Sequence, residues 1–227
     1  RAFLSFKHAL VAIKGDNFEY KGKLLSLCAA NGQWFGGGLG IAPHADIQDG
    51  NLASRERAAY LVSEALKFHL IPLTILRDGP FGLGMMQQWI EIDETIDLEL
   101  FFRERDPQLR KVAILDAVIN NTDRKIGHLL TSITGALFIC DHGVTFHEED
   151  KLRTVLWQWA GEELSIDEVA LLTDFNEHLL ESKVEGLVEL ITQTEYEALI
   201  HRVNRLITEK TFPVPSSDWP AIPWPPF

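Results

Sequence analysis

The chain has 227 residues, 46% of them hydrophobic, with 33 acidic against 21 basic side chains and a formal net charge of -12. That length and composition can bury a sizeable core, as one domain with two sub-lobes or as two small domains. The acidic balance repels polyphosphate backbones, which argues against sequence-independent nucleic-acid binding. No run of about 18 uncharged apolar residues occurs. Lys7, His8 and Lys14 interrupt the opening stretch, so neither a membrane span nor a signal peptide is expected, and a cytosolic protein is. Cys28 and Cys140 have no CxxC partner, which fits buried thiols in a reducing compartment. The first residue, Arg1, hints that the chain is a fragment.

Residues 2–13 carry Phe3, Phe6, Leu10 and Ile13 at three- and four-residue spacing, which predicts a short amphipathic helix ended by Gly15. Phe18, Tyr20, Leu24, Leu25 and Leu27 around Gly22 predict a strand pair, and AANGQWFGGGLG is the strongest break in the chain. From Asn51 to about Phe68, Ala53, Ala58, Ala59, Leu61, Val62, Ala65 and Leu66 form a helical stripe that Asp49 or Asn51 could cap. HLIPLTIL and GMMQQWIEI read as two strands joined into a hairpin through RDGPFGLG. Pro107 opens a helix through PQLRKVAILDAVINN, after which NNTDRKIGH is polar and loop-like. LLTSI and ALFIC are short apolar runs flanking Gly135, and the second delivers Asp141 at its end. Across 151–210, LWQWAGEEL, DEVALLTDFNEHLLE, VEGLVELI and EYEALIHRVNRLITEK all show the helix period. The closing FPVPSSDWPAIPWPPF is denied helix and inner strand by its prolines, and should lie extended over the surface, anchored by Trp219 and Trp224. There is no internal repeat.

The chemistry concentrates in the middle. Phosphoryl transfer to an alcohol needs a carboxylate near the attacking hydroxyl, a second carboxylate holding a divalent metal, and positive charge for the transferring group. Asp123 stands on a polar loop after an apolar helix, with Arg124 and Lys125 beside it, and Asp141 closes a strand just before Gly143. A two-strand ribbon, LLTSITGALFIC, separates the two carboxylates.

NNTDRKIGHLL resembles the catalytic loop of phosphatidylinositol 3-/4-kinase-like proteins, and CDHGVTF, with Phe146, resembles their metal loop. A bacterial family of small proteins of that type is closer still, on DGNLASRERAAYLVSEAL, PLTILRDGPFGLGMMQQWIE, DRKIGHLL, CDHGVTFHEEDKLRTVLWQWAGEEL and IPWPPF. The resemblance runs from about Asp49 to Phe227 and weakly over residues 9–35.

It implies an α+β, two-lobed protein-kinase-like fold, with a reduced N-lobe over 1–92 and a mainly helical C-lobe over 93–227. It implies an ATP-dependent phosphotransferase using Mg²⁺ or Mn²⁺, with an unknown protein, lipid or small-molecule acceptor. Asp123 would orient or deprotonate that acceptor and Lys125 would neutralise the transferred phosphate. Asp141 and His128 would hold the metal, Glu56 would serve the nucleotide, and Gln87, Gln88, Trp89 and Ile90 would receive adenine.

Two departures stand out. His128 occupies the position of the pattern's asparagine, and imidazole is a poor ligand for Mg²⁺. No lysine lies between Lys23 and Glu56 to pair with that glutamate. Lys14 in VAIK has no glycine loop before it, Lys21 and Lys23 flank an expected turn, and GGGLG lacks the GK[ST] ending of a phosphate loop. A catalytically degenerate pseudokinase or nucleotide-binding interaction module is the alternative, and a metal-dependent phosphohydrolase using His128, Asp141, His142 and His147 is a third reading.

Simpler roles compete for several residues. His142, His147, Glu148, Glu149 and Asp150 read better as a polar helix start than as a metal cluster. At least one of Trp157 and Trp159 is expected in the core. Met85 and Met86 are ordinary strand residues, and Cys140 is a spacer beside Asp141.

Overall fold

The computed structural model describes residues 10–15, 18–23, 52–79 and 82–226, the first two stretches as backbone only. The GGGLG loop, Cys28 and the expected caps Asp49 and Asn51 lie outside the described residues.

β1 (Leu10–Gly15) pairs antiparallel with β2 (Phe18–Lys23), in a register running from Leu10 opposite Lys23 to Gly15 opposite Phe18. The last four residues of the expected 2–13 helix, Leu10 to Ile13, are therefore strand, and the chain reverses after Gly15 instead of at Gly22. Val11 and Ile13 alternate at strand spacing, and so short an apolar run satisfies both periods. β-Branched residues tip the balance to strand. Lys14, Lys21 and Lys23 all fall on this hairpin.

α1 (Leu52–Ala65) packs on the hairpin of β3 (Thr74–Gly79) and β4 (Gly82–Gln87). Its Ala58, Ala59 and Val62 are completely buried in the apolar core. The Arg57 guanidinium donates to the Thr74 carbonyl across that contact. The Gly79–Gly82 pair closes the turn, and Gly82 takes φ +102°, which costs a glycine little. A short helix, α2 (Leu98–Arg103), follows, capped by Asp97, and has no counterpart in the sequence reading.

α3 (Pro107–Ile119) is the central element. Asp106 caps it, Pro107 occupies its first turn, and Asn120 ends it in the left-handed conformation. From Val112 to Ile119 every residue is buried, as expected of a helix apolar on all sides. β5 (Leu129–Thr131) and β6 (Leu137–Ile139) form a small antiparallel hairpin. Ile92 bridges to Ser132 beside β5, and the Ile139 N–H donates to Leu70 O beside β6.

α4 (Ile166–Leu180) and α5 (Gln193–Glu209) pack on each other, and α5 packs on α3. Each starts with a complete capping box, Ser165 with Glu168 and Thr192 with Glu195. Two of the four expected helices in 151–210 are absent: 156–164 holds a single 3-10 turn at Trp157–Trp159, and 184–191 is turns. Gly161 and Gly186, both at positive φ, break those periodic stretches. Trp159 is buried and Trp157 half-buried.

The tail forms neither helix nor strand over 213–226. Of the two expected anchors, Trp224 does not serve as one. Trp224 is 86% exposed, whereas Phe212 and Pro223 are buried. Backbone carbonyls do much of the holding, with Ala221 O accepting from Thr154 N and Trp157 Nε1, and Pro226 O from Ile126 N. Trp219 stacks under the Lys151 ammonium.

The expected two-lobed protein-kinase-like fold is not what the described residues form. Their strands make three separate two-stranded hairpins, β1–β2, β3–β4 and β5–β6, with no hydrogen-bonded ladder joining the first two into an N-lobe sheet. A hairpin alone cannot bury a face, so β3–β4 leans on α1. Side chains of α1, α3, α4 and α5 share one apolar core with Leu129, Leu137, Ile139 and Phe146. No helix among the described residues is long and apolar enough to cross a membrane.

Candidate cation site

α3 ends in a polar loop because Asn120 turns left-handed and Asn121 is captured beneath the helix. The Asn121 amide donates to Asp116 Oδ1, and Asn121 Oδ1 accepts from Asp123 N at 3.0 Å. Asp123 is thereby presented at the rim. Two residues on, Lys125 Nζ lies 3.0 Å from Asp123 Oδ2.

Arg124 behaves differently from its neighbours. It is fully buried, with Nε and Nη2 on the Asp116 carboxylate, Nη1 on Cys140 O at 3.0 Å, and Nη2 on His142 Nε2 at 2.8 Å. Thr154 Oγ1 donates to the second Asp116 oxygen. Arg124 is a structural pin and is not available to phosphate; Lys125 remains as the partly exposed cation.

The β5–β6 register pairs Leu129 with Ile139, and Cys140 N donates to His128 O. His128 and Asp141 are thus neighbours across the hairpin, with His128 Nε2 3.4 Å from Asp141 Oδ2. Asp123, His128 and Asp141 each offer one ligand atom within 4.8 Å of the others. Burial, then Arg124, Lys125 and His142, push the His128 imidazole down to about 3, so it is neutral at neutral pH. A neutral imidazole is the form that ligates metal. Enclosure and the Glu56 carboxylate raise Asp141, although 59% of its side chain stays open to solvent, which limits how far enclosure can act. One imidazole and two carboxylates suit Mn²⁺ or another first-row metal better than Mg²⁺.

Glu56 comes to the same place. Its Oε1 accepts from His142 N at 2.7 Å, and its Oε2 lies 3.4 Å from His142 Nδ1. Gln87 and Gln88 do otherwise: Gln87 Nε2 donates to Thr74 Oγ1 and Gln88 N to Leu73 O, whereas Ile90 is buried and Trp89 is 38% exposed. These Gln87 and Gln88 hydrogen bonds run to Leu73 and Thr74, at the start of β3.

The set His128, Asp141, His142 and His147 does not assemble. His142 faces Glu56 and Arg124, and His147 binds Glu149 N and Lys151 Nζ. Nor is a helix begun at 148–150. The Cys140 thiol, pushed up to about 12 by burial, is not a nucleophile. An open groove of about 330 Å³ between Arg57, Ile75 and Leu190 includes none of the cluster residues. Sequence reading missed Asp116 and Asn121, whose signal was a charge inside an apolar helix run.

An apolar helix feeding one carboxylate, and a hairpin returning an imidazole and a second carboxylate, define a candidate cation site on a mixed helix and hairpin scaffold. Residues 1–59 match the family described as YegS C-terminal NAD kinase beta sandwich-like domain. The chain is also 36% identical to Protein Rv2133c of Mycobacterium tuberculosis (strain ATCC 25618 / H37Rv), across 83% of this chain and 80% of that protein. It belongs to the same family as Protein Rv2133c.

These matches overturn the phosphatidylinositol 3-/4-kinase-like assignment. With it fall the phosphotransferase of that type and its degenerate pseudokinase form. A kinase association survives at the coarse level, through the NAD kinase-like description of the N-terminal match.

Proposed function

We propose that Asp123, His128 and Asp141 hold a divalent cation, and that this centre supports phosphoryl transfer from ATP to a hydroxyl acceptor, in the broad kinase class to which the N-terminal match points. The observation that carries the reading is the convergence of three ligand atoms within 4.8 Å, drawn from two chain segments and including a neutral imidazole. A bound cation would neutralise charge on the transferring group and orient it. Lys125 would add positive charge at the rim, leaving Asp123 for the phosphate. Asp123 and Asp141 supply the negative charge that retains the cation, and the buried Asp116–Arg124 pair fixes the loop that carries Asp123.

Mn²⁺ titration followed by thermal unfolding tests the centre. Binding to the folded state stabilises by about 2.7 kcal/mol at a hundredfold excess over Kd, a rise of several degrees in Tm. Asp141→Asn should abolish that rise, and with it any Mn²⁺-dependent transfer of phosphate from ATP. An equal rise in parent and variant would remove the centre, and with it the proposed function.

A further inference from the structure

α1 meets the loop that carries Asp141 at three points. Leu52 lies against Gly143, where an added Cβ would come within 3.4 Å of it. Arg55, buried, donates to Thr145 O and to Glu195 on α5. Glu56 accepts from His142 N. Positions 52, 55 and 56 share one helix face, so the first turn of α1 grips residues 142–145 as a unit.

The grip falls next to an unusual backbone. Asp141 has φ +63°, a left-handed conformation that disfavours a residue with a Cβ and persists only when its surroundings hold it. The N–H immediately after it is the one Glu56 accepts. The ring of His142 is held from the other side: Arg124 can only donate, so Nε2 accepts and the ring proton sits on Nδ1, toward Glu56 Oε2. Glu56 Oε2 and His142 Nδ1 face each other at 3.4 Å, both sealed from water and neither holding a hydrogen bond. Asp116, Arg124, His142 and Glu56 thus form one buried chain from α3 to α1, passing directly behind Asp141.

We infer that Glu56 is a positioning residue for the cation site, holding Asp141 in its left-handed conformation through the His142 backbone N–H. Glu56 touches no cation itself. It sets where the Asp141 carboxylate points, and the inference rests on the proposed cation role of Asp141.

The test uses the whole chain and Mn²⁺, with binding measured calorimetrically for the parent, Glu56→Ala, Glu56→Gln and Asp141→Asn. Glu56→Ala should weaken Mn²⁺ binding about 10- to 100-fold, the range for groups that orient metal ligands. Glu56→Gln keeps an oxygen for the His142 N–H and should recover most of the affinity, a rescue that a purely packing role would not give. Parental affinity in a folded Glu56→Ala, or no difference between Gln and Ala, overturns the inference. Failure of the parent to bind Mn²⁺ sinks the proposed function instead. Hydrogen exchange at the His142 amide then decides the hold on Asp141: protection lost in Glu56→Ala and kept in Glu56→Gln supports it, and equal protection in both ends it.

Discussion

Asp116 and Arg124 are both completely buried, and each is satisfied by more than the other: Asn121 and Thr154 serve the carboxylate, Cys140 O and His142 the guanidinium. Breaking such a pair from one side strands a charge in the core. Arg124→Met should therefore cost about 3–5 kcal/mol in urea unfolding, because Asp116 loses its counter-charge while staying buried. The double substitution Asp116→Leu with Arg124→Met should cost less than the sum of the singles, since neither charge is then left alone. Additive costs would show that the two residues act independently. The same pair explains why Asp-Arg-Lys misleads as a sequence. Three adjacent polar residues look alike, yet Asp123 and Lys125 stay at the rim while Arg124 turns inward to an aspartate eight positions earlier.

Helices α3 and α4 are tied by one bidentate contact, with Arg110 Nε and Nη2 on the two Glu168 oxygens. Burial alone would raise the Glu168 carboxyl, but Arg110 and Ser165 outweigh it, and its pKa lies below the ordinary 4.5. A carboxylate depressed on folding adds stability that is full above the unfolded pKa and is lost as pH falls through the folded one. Glu168→Gln keeps a residue able to complete the capping box. It should lower stability by about 1 kcal/mol at pH 7, and the gap from the parent should close as pH drops below 4.5. A gap that is constant with pH would mean that packing, not charge, is lost. Elements of this kind were readable: Pro107, the hairpin through Asp78 and Gly79, and the α4 and α5 periods all mark real structure. Where the reading failed, two periods fitted one short run, as in Leu10–Gly15, or a glycine at positive φ broke a periodic stretch, as Gly161 and Gly186 do. The site was legible only as residue types. That His128 lies beside Asp141 depends on the β5–β6 register, and that Glu56 reaches His142 depends on how α1 packs, neither of which local spacing encodes.

At the scale of the molecule, the candidate cation site is held from three directions that are distant in sequence: α3 beneath it, α1 behind Asp141, and the proline- and tryptophan-rich tail across Ile126. The tail is the least helical and the most informative of the three. Each proline removes an N–H, so the tail carries more acceptors than donors, and its carbonyls take the donors that the loops offer. Arg153 Nε donates to Pro220 O, Thr154 N to Ala221 O, and Ile126 N to Pro226 O. Arg124 and Thr154 form a parallel bridge just inside, so the tail closes over the segment that pins Arg124. Removing residues 219–227 would leave those donors to water and uncover the ground that Pro223 occupies. Faster hydrogen exchange is expected at the Ile126 and Thr154 amides, with the α5 amides unchanged, because α5 carries its own capping box and packs on α3 and α4. Mn²⁺ affinity should fall with it, since the strap bears on the stretch between Asp123 and His128. Unchanged exchange at Ile126 in the shortened chain would show that the tail merely rests on the surface, and that the loop keeps its shape through α1 and α3 alone.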